Sequence, residues 1–340
     1  MENKSLDLAC IGSCCFDVIM NVQDVLRFEM MDVNIVKKYT AIEYSSKLNV
    51  MGIKLAPGGS AANVSANLGG FGLKTSYIGK LGDDSFGKVA IEDLGKAGVE
   101  LDSCFLTSED STGVSVILIT PFGKDRSILA YKGANNLIRP EEIQDHWVTR
   151  AKNLQWTSLT SDSGVNAIEK CISLLRSSGG NKVFACPSIS ILKNHLEGAK
   201  RLIKQSDVLI CNKEEIAELT GENDTILAMK KVLAMGPKIV ACTDGKDGSK
   251  ITDGKDLITA DVYNVDVVDT TGAGDAFASG IIYACINELG LEAMVKYGAA
   301  IAANECAVLG VRDGIPRDIV QIKEFIRDHD LYIVKSSLES

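Results

Sequence analysis

The stretch Val268-Asp269-Thr270-Thr271-Gly272-Ala273-Gly274-Asp275-Ala276-Phe277 decides how this chain is interpreted. A strand-like segment over residues 262–269 runs into it, and an apolar helical pattern over residues 276–289 follows it. The Gly272-Ala273-Gly274 turn carries almost no side-chain bulk, so its backbone N–H groups can close on a ligand where the helix dipole favours negative charge. The turn therefore predicts a seat for phosphate oxygens at the start of a helix.

Asp275 lies at the same corner and gives the turn a further meaning. An acidic side chain repels phosphate, so its presence favours a proton acceptor for a hydroxyl group that attacks phosphorus. The alternative is structural: the small residues let strand and helix pack closely, and Asp275 stabilises the helix N-terminus by a few tenths to about 1 kcal/mol. Taken alone, the stretch leaves phosphoryl transfer and a packing turn both open.

Composition limits the classes of protein to consider. The chain has 340 residues and 46% hydrophobic content, which suffices for one large α/β domain over residues 1–340. The formal charge of −9 and the pI near 5.0 argue against a general nucleic-acid or anionic-membrane binder. No apolar stretch reaches the ~18 residues of a membrane span. We expect neither nucleic acid nor membrane among its partners.

The ten cysteines and three histidines do not form a metal or redox motif. No Cys-x-x-Cys pair occurs, and Cys186, Cys211 and Cys242 lie in apolar runs, where cysteine acts as a small hydrophobic residue. The N-terminus shows no signal-peptide pattern, so the expected compartment is the cytoplasm. A histidine-built zinc centre or a Ser-His-Asp triad is not expected.

Short apolar runs alternate with amphipathic ones along the chain. Buried strands are predicted at residues 6–11, 76–79, 154–159, 182–186, 208–211 and 239–242. Helices are predicted at residues 84–97, 164–175, 191–205, 223–235 and 291–308. Repetition of strand and helix predicts a mostly parallel sheet covered by helices on both faces. Ligands of such sheets collect at the carboxyl ends of the strands.

Two regions, residues 18–56 and 112–132, interrupt this alternation. The pattern at 112–132 predicts a hairpin, with strands at 114–120 and 127–131 around Pro121-Phe122-Gly123-Lys124. Together the two regions predict a small antiparallel sheet outside the main one.

Residues 27–50 are unusually long for a connection between strands. A helical pattern over 29–38 lies within them, so we treat the segment as an insertion of undetermined form.

Two polar segments near the N-terminus fit the binding of hydroxyl groups. Pro57-Gly58-Gly59-Ser60-Ala61-Ala62-Asn63 precedes a helix and combines close backbone approach with the Asn63 amide. Asp17 follows the first strand, where a carboxylate can accept hydrogen bonds from two hydroxyls. The alternatives are a tight loop before a helix of small residues and a turn-forming aspartate.

Two further segments follow later strands. Asn212 and Glu215 stand one helical turn apart after the strand at 208–211, where a carboxylate can hold Mg²⁺ through water. The alternative is a capping pattern with an acidic first turn. The segment from Thr243 to Gly248, which contains Gly245, offers hydroxyl and backbone donors and is by itself only a polar turn.

Taken together, these segments resemble the ribokinase-like (PfkB) carbohydrate kinase family. The first family pattern matches over residues 58–82, the second over residues 269–280, and the Asn-x-x-Glu motif is Asn212 to Glu215. Their order and spacing agree over nearly the whole chain. The resemblance implies a three-layer α/β/α sandwich with a mostly parallel central sheet and a small β-sheet lid, here about 18–56 and 112–132. In this family the lid often forms a dimer contact.

The resemblance also implies roles for individual residues. Asp275 would be the catalytic base, and amides of Gly272, Ala273 and Gly274 would form the anion hole. Around the nucleotide, the resemblance implies Asn212 and Glu215 near Mg²⁺ and the phosphates, and Thr243 and Gly245 in the ATP site. The acceptor's hydroxyls would be held by Asp17, Gly58, Gly59 and Asn63. Asp269 and Thr271 would belong to the K⁺ site that some members use, and Asn304 to Gly314 would surround the adenine and complete that cation site.

Some residues depart from the ribokinase pattern and bear on the acceptor. Ser60 replaces a lysine, and Cys15 stands two residues before Asp17, where ribokinases have asparagine. Both changes argue against ribose itself, while the long insertion is more like adenosine kinases. Arg126 in the hairpin can pair with the phosphate of a sugar phosphate, or it is simply an exposed arginine.

Three functions therefore compete. An ATP-dependent sugar kinase is favoured, a nucleoside kinase comes second, and a non-catalytic nucleotide-binding regulator is third because Asp275 and Glu215 are both present. A nicotinamide-dependent oxidoreductase is excluded, because no Gly-x-Gly-x-x-Gly turn follows the first strand.

Overall fold

The structure, a computed structural model, describes residues 4–32, 35–120 and 126–338, with the backbone alone at residues 32, 35–38 and 126. The strands in this part of the chain are β1 (Leu6–Ile11), β2 (Cys15–Val22), β3 (Leu26–Asp32), β4 (Ile35–Ala41), β5 (Val50–Gly58), β6 (Thr75–Gly82), β7 (Cys104–Thr107), β8 (Gly113–Ile119), β9 (Arg126–Tyr131), β10 (Ala151–Thr157), β11 (Val183–Cys186), β12 (Val208–Asn212), β13 (Ile239–Thr243), β14 (Ser249–Thr252), β15 (Asp256–Ala260) and β16 (Ile333–Ser337). The helices are α1 (Ser60–Gly70), α2 (Ser85–Lys96), α3 (Asp145–Thr149), α4 (Asp162–Ser177), α5 (Ile189–Asn194), α6 (Leu196–Lys204), α7 (Lys213–Thr220), α8 (Thr225–Met235), α9 (Ala273–Ile286), α10 (Gly290–Cys306) and α11 (Ile319–Asp328).

A ten-stranded sheet forms the middle layer, in the order β16-β15-β14-β13-β12-β11-β10-β1-β6-β7. The strands from β13 to β7 in that order are parallel to their neighbours, whereas β14, β15 and β16 are antiparallel. All six predicted strands lie in the parallel part, which confirms the mostly parallel sheet. The antiparallel extension was not predicted.

The sheet is buried on both faces. Leu8 and Cys10 of β1 belong to one core, which α1, α2, α9 and α10 cover. Ala9 and Ile11 of the same strand belong to the other, beneath α4, α6 and α8. Since successive side chains of a strand point to opposite faces, this division builds the three layers.

A separate four-stranded sheet, in the order β5-β2-β8-β9, is called the small sheet below. It contains the predicted hairpin, β8 and β9, whose expected tip at 121–124 lies outside the described residues. The small sheet is mixed rather than antiparallel, because β2 runs parallel to β8 and antiparallel to β5.

Asp84 links the start of strand β8, in the small sheet, to helix α2. Its carboxylate accepts hydrogen bonds from the backbone N–H of Gly87 and from the N–H and hydroxyl of Thr112, at 2.8, 2.7 and 2.8 Å. Burial raises the pKa of Asp84, but these hydrogen bonds outweigh it, so the pKa lies below its usual value. The point where β8 begins is therefore held against the N-terminus of α2.

Three local predictions are wrong. The helical pattern at 29–38 belongs to the β3–β4 hairpin, where Phe28 stacks across the strands on Tyr39 at 5.2 Å between ring centroids. Residues 262–269 form no strand, and the N–H groups of Val268 and Asp269 donate to the Cys306 carbonyl at the end of α10 instead. The helix predicted at 191–205 is two helices that meet at His195.

Candidate active site

The two glycines of the turn before α9 differ in their surroundings: Gly272 packs tightly against the protein, whereas Gly274 borders open space. Gly272 caps the helix with φ of 78°, and a Cβ there would stand 2.3 Å from the Val311 carbonyl oxygen. Only glycine adopts this conformation without strain in so small a space. A Cβ on Gly274 would meet no heavy atom of the described residues within 4 Å. The predicted turn of small residues at the start of a helix is therefore present, and Asp275 lies in the first turn of α9.

Asn63 of α1 holds the Asp275 carboxylate. Its side-chain nitrogen donates to Oδ2 of Asp275 over 2.8 Å. Asn63 is only 3% exposed, and its Oδ1 has no hydrogen-bond partner among the described residues. An unpaired buried oxygen costs about 1–3 kcal/mol, so its retention beside Asp275 points to a ligand that donates to it.

Asp17 of β2 is buried beside the same space. Cys15 donates its thiol to Oδ1 of Asp17 over 3.3 Å, and a Cβ on Gly58 would stand 2.0 Å from Oδ2. Glycine at 58 is therefore needed for Asp17 to occupy its position. Burial raises the pKa of Asp17, and the negative charge of Asp275 raises it further. The two carboxylates therefore lie close enough for their charges to interact.

The loop between β1 and β2 is fixed by residues from elsewhere. Gly59 has φ of 96°, and a Cβ on it would stand 2.6 Å from Cα of Cys14. The Cys14 N–H donates to Oδ1 of Asn135 over 2.9 Å, and the Asn135 side-chain nitrogen donates to the Cys14 carbonyl over 2.8 Å. Asn135 was not predicted as a site residue, because it is 121 positions away in the sequence.

Asn212 and Glu215 form a complete capping box at the start of α7. The Glu215 N–H donates to Oδ1 of Asn212, and the Asn212 N–H donates to Oε2 of Glu215, each over 2.9 Å. The capping box, which the sequence offered as the alternative, is therefore present, and its geometry is compatible with a ligand role. Burial raises the pKa of Glu215 to about 7, and Asp275 contributes in the same direction. Glu215 therefore lies in the field of the Asp275 carboxylate.

The end of the neighbouring strand β13 adds polar groups at the same edge. Thr243 pairs with Asn212 across the sheet, and Gly245 follows with φ of 54° and no heavy atom of the described chain within 4 Å of a Cβ. Lys213 and Asp244 join the two segments through an ion pair of 2.6 Å. Two of the predicted nucleotide residues are thereby brought alongside Asn212.

A third group of carboxylates lies behind the turn. Asp269 accepts hydrogen bonds from the Thr271 N–H and hydroxyl over 3.0 and 2.8 Å. Glu305 of α10 is fully buried, and its Oε1 has no partner in the described chain. Burial raises the pKa of Glu305 to about 7, and the charge of Asp269 adds to this rise. Glu305 itself was not singled out from the sequence, because a glutamate inside a helical pattern is typical of a surface position.

Asn304 is tied into its own helix. Its side-chain nitrogen donates to the Ala300 carbonyl over 2.8 Å, so its predicted contact with a nucleotide stays a prediction.

The backbone of Arg126 begins β9, but its side chain lies outside the described residues. No group of three or more His, Cys, Asp or Glu side chains in the described chain has the arrangement of a metal site. None of the described helices is long and apolar enough to span a membrane.

The sequence profile of the pfkB family carbohydrate kinases matches residues 5–318. The chain belongs to this family. An ATP-dependent ribose-1-phosphate kinase from Halopiger xanaduensis is 28% identical over 82% of the chain and 90% of the relative. A 5-dehydro-2-deoxygluconokinase from Geobacillus kaustophilus is 26% identical over 96% of each. The predicted family and the predicted enzyme class, a phosphotransferase acting on an alcohol group, are confirmed.

Solved structures share the fold of this pfkB family member. A putative ribokinase II from E. coli in its apo form has a TM-score of 0.80 at 20% identity, covering 95% of the chain and all of that protein. The adenosine kinase of Sinorhizobium meliloti has a TM-score of 0.79 at 23% identity, covering 94% and 99%. The predicted ribokinase-like three-layer fold with an additional, smaller sheet is confirmed.

Proposed function

We propose that this chain is an ATP-dependent kinase that transfers the γ-phosphoryl group to a hydroxyl of a sugar or sugar-like acceptor, with Asp275 as general base. One observation carries the proposal. Asp275 stands at the open end of a glycine turn at a helix N-terminus, and Asn63 holds its carboxylate over 2.8 Å. Phosphoryl transfer needs chiefly positioning and electrostatic stabilisation, which backbone amides and one oriented carboxylate supply.

The residues present fit ATP and Mg²⁺. Open space beside Gly274 would let phosphate oxygens approach the turn and its amides at Gly272 and Gly274. The Ala273 N–H donates to the Thr270 carbonyl over 3.3 Å and would exchange this long hydrogen bond for one to the phosphate. Glu215, whose pKa is raised by burial and by Asp275, would be stabilised in its ionised form by a divalent cation. Asn212, Thr243 and Gly245 would line the nucleotide. Bound Mg²⁺ would neutralise the charge of the phosphates. A solved structure of the E. coli putative ribokinase II contains ATP and Mg²⁺.

The chain's own groups would perform the proton transfer. Asp17 would accept hydrogen bonds from acceptor hydroxyls, beside the backbone of Gly58 and Gly59. Asp275 would take the proton of the attacking hydroxyl as its oxygen bonds to the γ-phosphorus. The bond from that phosphorus to the β,γ-bridging oxygen breaks, and ADP leaves with the bonding electrons. Oδ1 of Asn63, which has no partner in the described chain, would accept from another hydroxyl of the acceptor.

The small sheet would serve as the lid, within residues 18–56 and 112–132 of one kinase domain. Asp17 on β2 and Gly58 on β5 belong both to this sheet and to the proposed acceptor site. A sheet in that position would exclude water, which would otherwise compete with the acceptor for the phosphoryl group.

The outer face of the small sheet would bind another copy of the chain. Ile53, Leu55, Leu129 and Tyr131 are each more than half exposed, although they stand on the face opposite Asp17. These four exposed apolar side chains lie on the two edge strands of the same sheet, β5 and β9, and exposed apolar groups of this kind are typical of an interface. Sedimentation of the wild type and of Leu129→Glu tests this: we expect a dimer that the variant dissociates, and a monomeric wild type contradicts it.

Asp269, Thr271 and Glu305 would form a monovalent-cation site. Oε1 of Glu305 is fully buried and has no partner among the described residues, and a cation there would compensate the negative charges of Glu305 and Asp269. Turnover in potassium compared with sodium at equal ionic strength tests this. Potassium should raise activity in the wild type and much less in Glu305→Gln; equal rates in both salts would contradict it.

A nucleoside kinase is the other candidate. The similarity to the S. meliloti adenosine kinase and the added β3–β4 hairpin favour it, whereas the two relatives with sugar substrates in their names favour a sugar kinase. The test is ADP release from MgATP with pentoses, hexoses, sugar acids, sugar phosphates and nucleosides. Turnover with nucleosides alone would reverse the order, and ATP binding without any turnover would favour a regulator.

A further inference from the structure

The register of the small sheet places Lys132 beside the acceptor residues. Cys15 stands opposite Gly113 in the β2–β8 pair, and Val114 stands opposite Tyr131 in the β8–β9 pair. One residue further, Lys132 follows β9 next to Gly113, where a Cβ on that glycine would stand 2.8 Å from the Lys132 carbonyl oxygen. Lys132 itself lies one residue beyond the last pair of this ladder and has helical dihedrals, with φ of −79° and ψ of −32°.

The row of residues leading to Lys132 is small. From β5 across the sheet it consists of Gly58, Cys15 and Gly113. Asp17 and Ser115 form the next row on the same face. Neighbouring polar side chains take the space beside the two glycines: a Cβ on Gly58 would be 2.0 Å from Oδ2 of Asp17, and one on Gly113 would be 2.6 Å from the Asn135 side-chain nitrogen. This row of small residues therefore lies between the Asp17 carboxylate and Lys132.

The Lys132 ammonium lacks a partner within the described chain. No carboxylate or carbonyl there accepts a hydrogen bond from it, although the residue is half-buried. Burial lowers its pKa, and the nearby Cys15 opposes this shift. Buried Lys80, by contrast, pairs with Glu142 over 2.6 Å. Arg312, whose charge acts on Asp17, forms an ion pair with Asp93. A partly buried charge without compensation is costly, and a bound anion would supply the compensation.

The backbone of Lys132 is fixed relative to the acceptor loop. Its carbonyl accepts a hydrogen bond from the Asn135 side-chain nitrogen over 3.0 Å. The same side chain bonds both backbone groups of Cys14, at 2.9 and 2.8 Å. Lys132 and the loop that leads to Asp17 are therefore joined through one residue.

We propose that Lys132 binds an anionic group of the acceptor, so that the substrate is a sugar acid or a sugar phosphate rather than a neutral sugar. This inference rests on the proposed kinase function and narrows its substrate class. Carboxylate and phosphate both present oxygens that an ammonium group binds with charge assistance. The names of two relatives, a 5-dehydro-2-deoxygluconokinase and a ribose-1-phosphate kinase, each contain an anionic sugar.

The test compares wild type with Lys132→Met, Lys132→Arg and the control Lys230→Met, an exposed lysine on α8. Acceptors are taken in charged and neutral pairs: ribose 1-phosphate with ribose, and 5-dehydro-2-deoxygluconate with 2-deoxyglucose. ADP release gives kcat and KM, and calorimetry gives Kd without requiring turnover. The two pairs distinguish phosphate from carboxylate.

We expect wild type to prefer one charged acceptor over its neutral partner. Lys132→Met should raise KM and Kd for that acceptor about 10- to 100-fold, the range for a hydrogen bond to a charged group, and change the neutral partner's values less than about twofold. Lys132→Arg should restore most of the binding, and Lys230→Met should match wild type. A preference for neutral acceptors, or equal losses for both members of a pair, overturns the inference. Absence of turnover in every sample contradicts the kinase proposal instead, while Kd still tests the role of Lys132.

Discussion

Asn63 donates to Oδ2 of Asp275 over 2.8 Å, and one turn further along the same two helices Asn67 donates to Oγ of Ser279 over 3.0 Å. Both asparagines are buried and both join α1 to α9. Only the first bonds the carboxylate proposed as general base. Comparison of the two contacts therefore distinguishes the orientation of a reacting group, by Asn63, from helix packing alone, by Asn67.

Replacement of Asn63 by Ala should lower kcat by about 10- to 100-fold, because the Asp275 carboxylate loses the donor that orients it. Asn67→Ala should lose a similar amount of stability, about 1–3 kcal/mol, yet keep kcat within about twofold. Steady-state kinetics and urea unfolding of both variants measure this. Equal effects of the two replacements on kcat would contradict the orienting role.

The two glycines of the turn should respond differently to alanine. Gly272→Ala forces a Cβ to 2.3 Å from the Val311 carbonyl at a φ of 78°, so we expect a loss of about 1–3 kcal/mol in unfolding free energy. Gly274→Ala adds a methyl group to open space and should fold normally. Its kcat should nevertheless fall about tenfold or more if the phosphoryl group approaches there. Normal turnover by a folded Gly274→Ala would argue against an anion site at this turn.

Gly58 and Gly52 of strand β5 form another matched pair. A Cβ on Gly58 would stand 2.0 Å from Oδ2 of Asp17, whereas one on Gly52 would meet no described atom within 4 Å. Gly58→Ala should therefore displace Asp17 and raise KM for the acceptor about tenfold or more, with KM for ATP little changed. Gly52→Ala should behave as wild type. An unchanged acceptor KM in Gly58→Ala would show that Asp17 does not bind the acceptor.

Local patterns predicted the fold because parallel strands and amphipathic helices each carry a periodic signal. β6 and β10, for example, lie at the expected apolar runs with longer bounds. The 262–269 segment misled because its β-branched residues favour a strand, yet its N–H groups at 268 and 269 bond the end of a distant helix.

The candidate site was only partly predictable. Asp17, Asn63 and Asp275 each stand in a short motif at an element boundary, so the sequence pointed to them. Asn135 and Glu305 act through partners distant in the chain or through burial, which no local pattern encodes. No sequence pattern pointed to Lys132, because what distinguishes it is that its ammonium group has no partner within the described chain.

Glu305 should make stability depend on pH. Burial raises its folded pKa to about 7 from 4.5, so between these values the folded protein keeps a proton that the unfolded chain has lost. The free energy of unfolding should therefore fall as pH rises from about 4.5 to 7, by about 3 kcal/mol from this residue. Glu215 contributes in the same direction over the same interval.

Glu305→Gln keeps an acceptor for the Gly314 N–H but cannot ionise. Its unfolding free energy, measured in urea without potassium between pH 5 and 8, should fall less steeply than that of wild type. Identical slopes for the two proteins would mean that Glu305 is not the buried carboxyl responsible.

The most direct measurement is the kcat for ADP release by Asp275→Asn with saturating MgATP and the best acceptor. The amide keeps the shape of the carboxylate but accepts no proton, so kcat should fall about 10²- to 10⁴-fold while ATP and acceptor still bind and the unfolding transition is unchanged. A variant that turns over within a few-fold of wild type would show that Asp275 is not the general base.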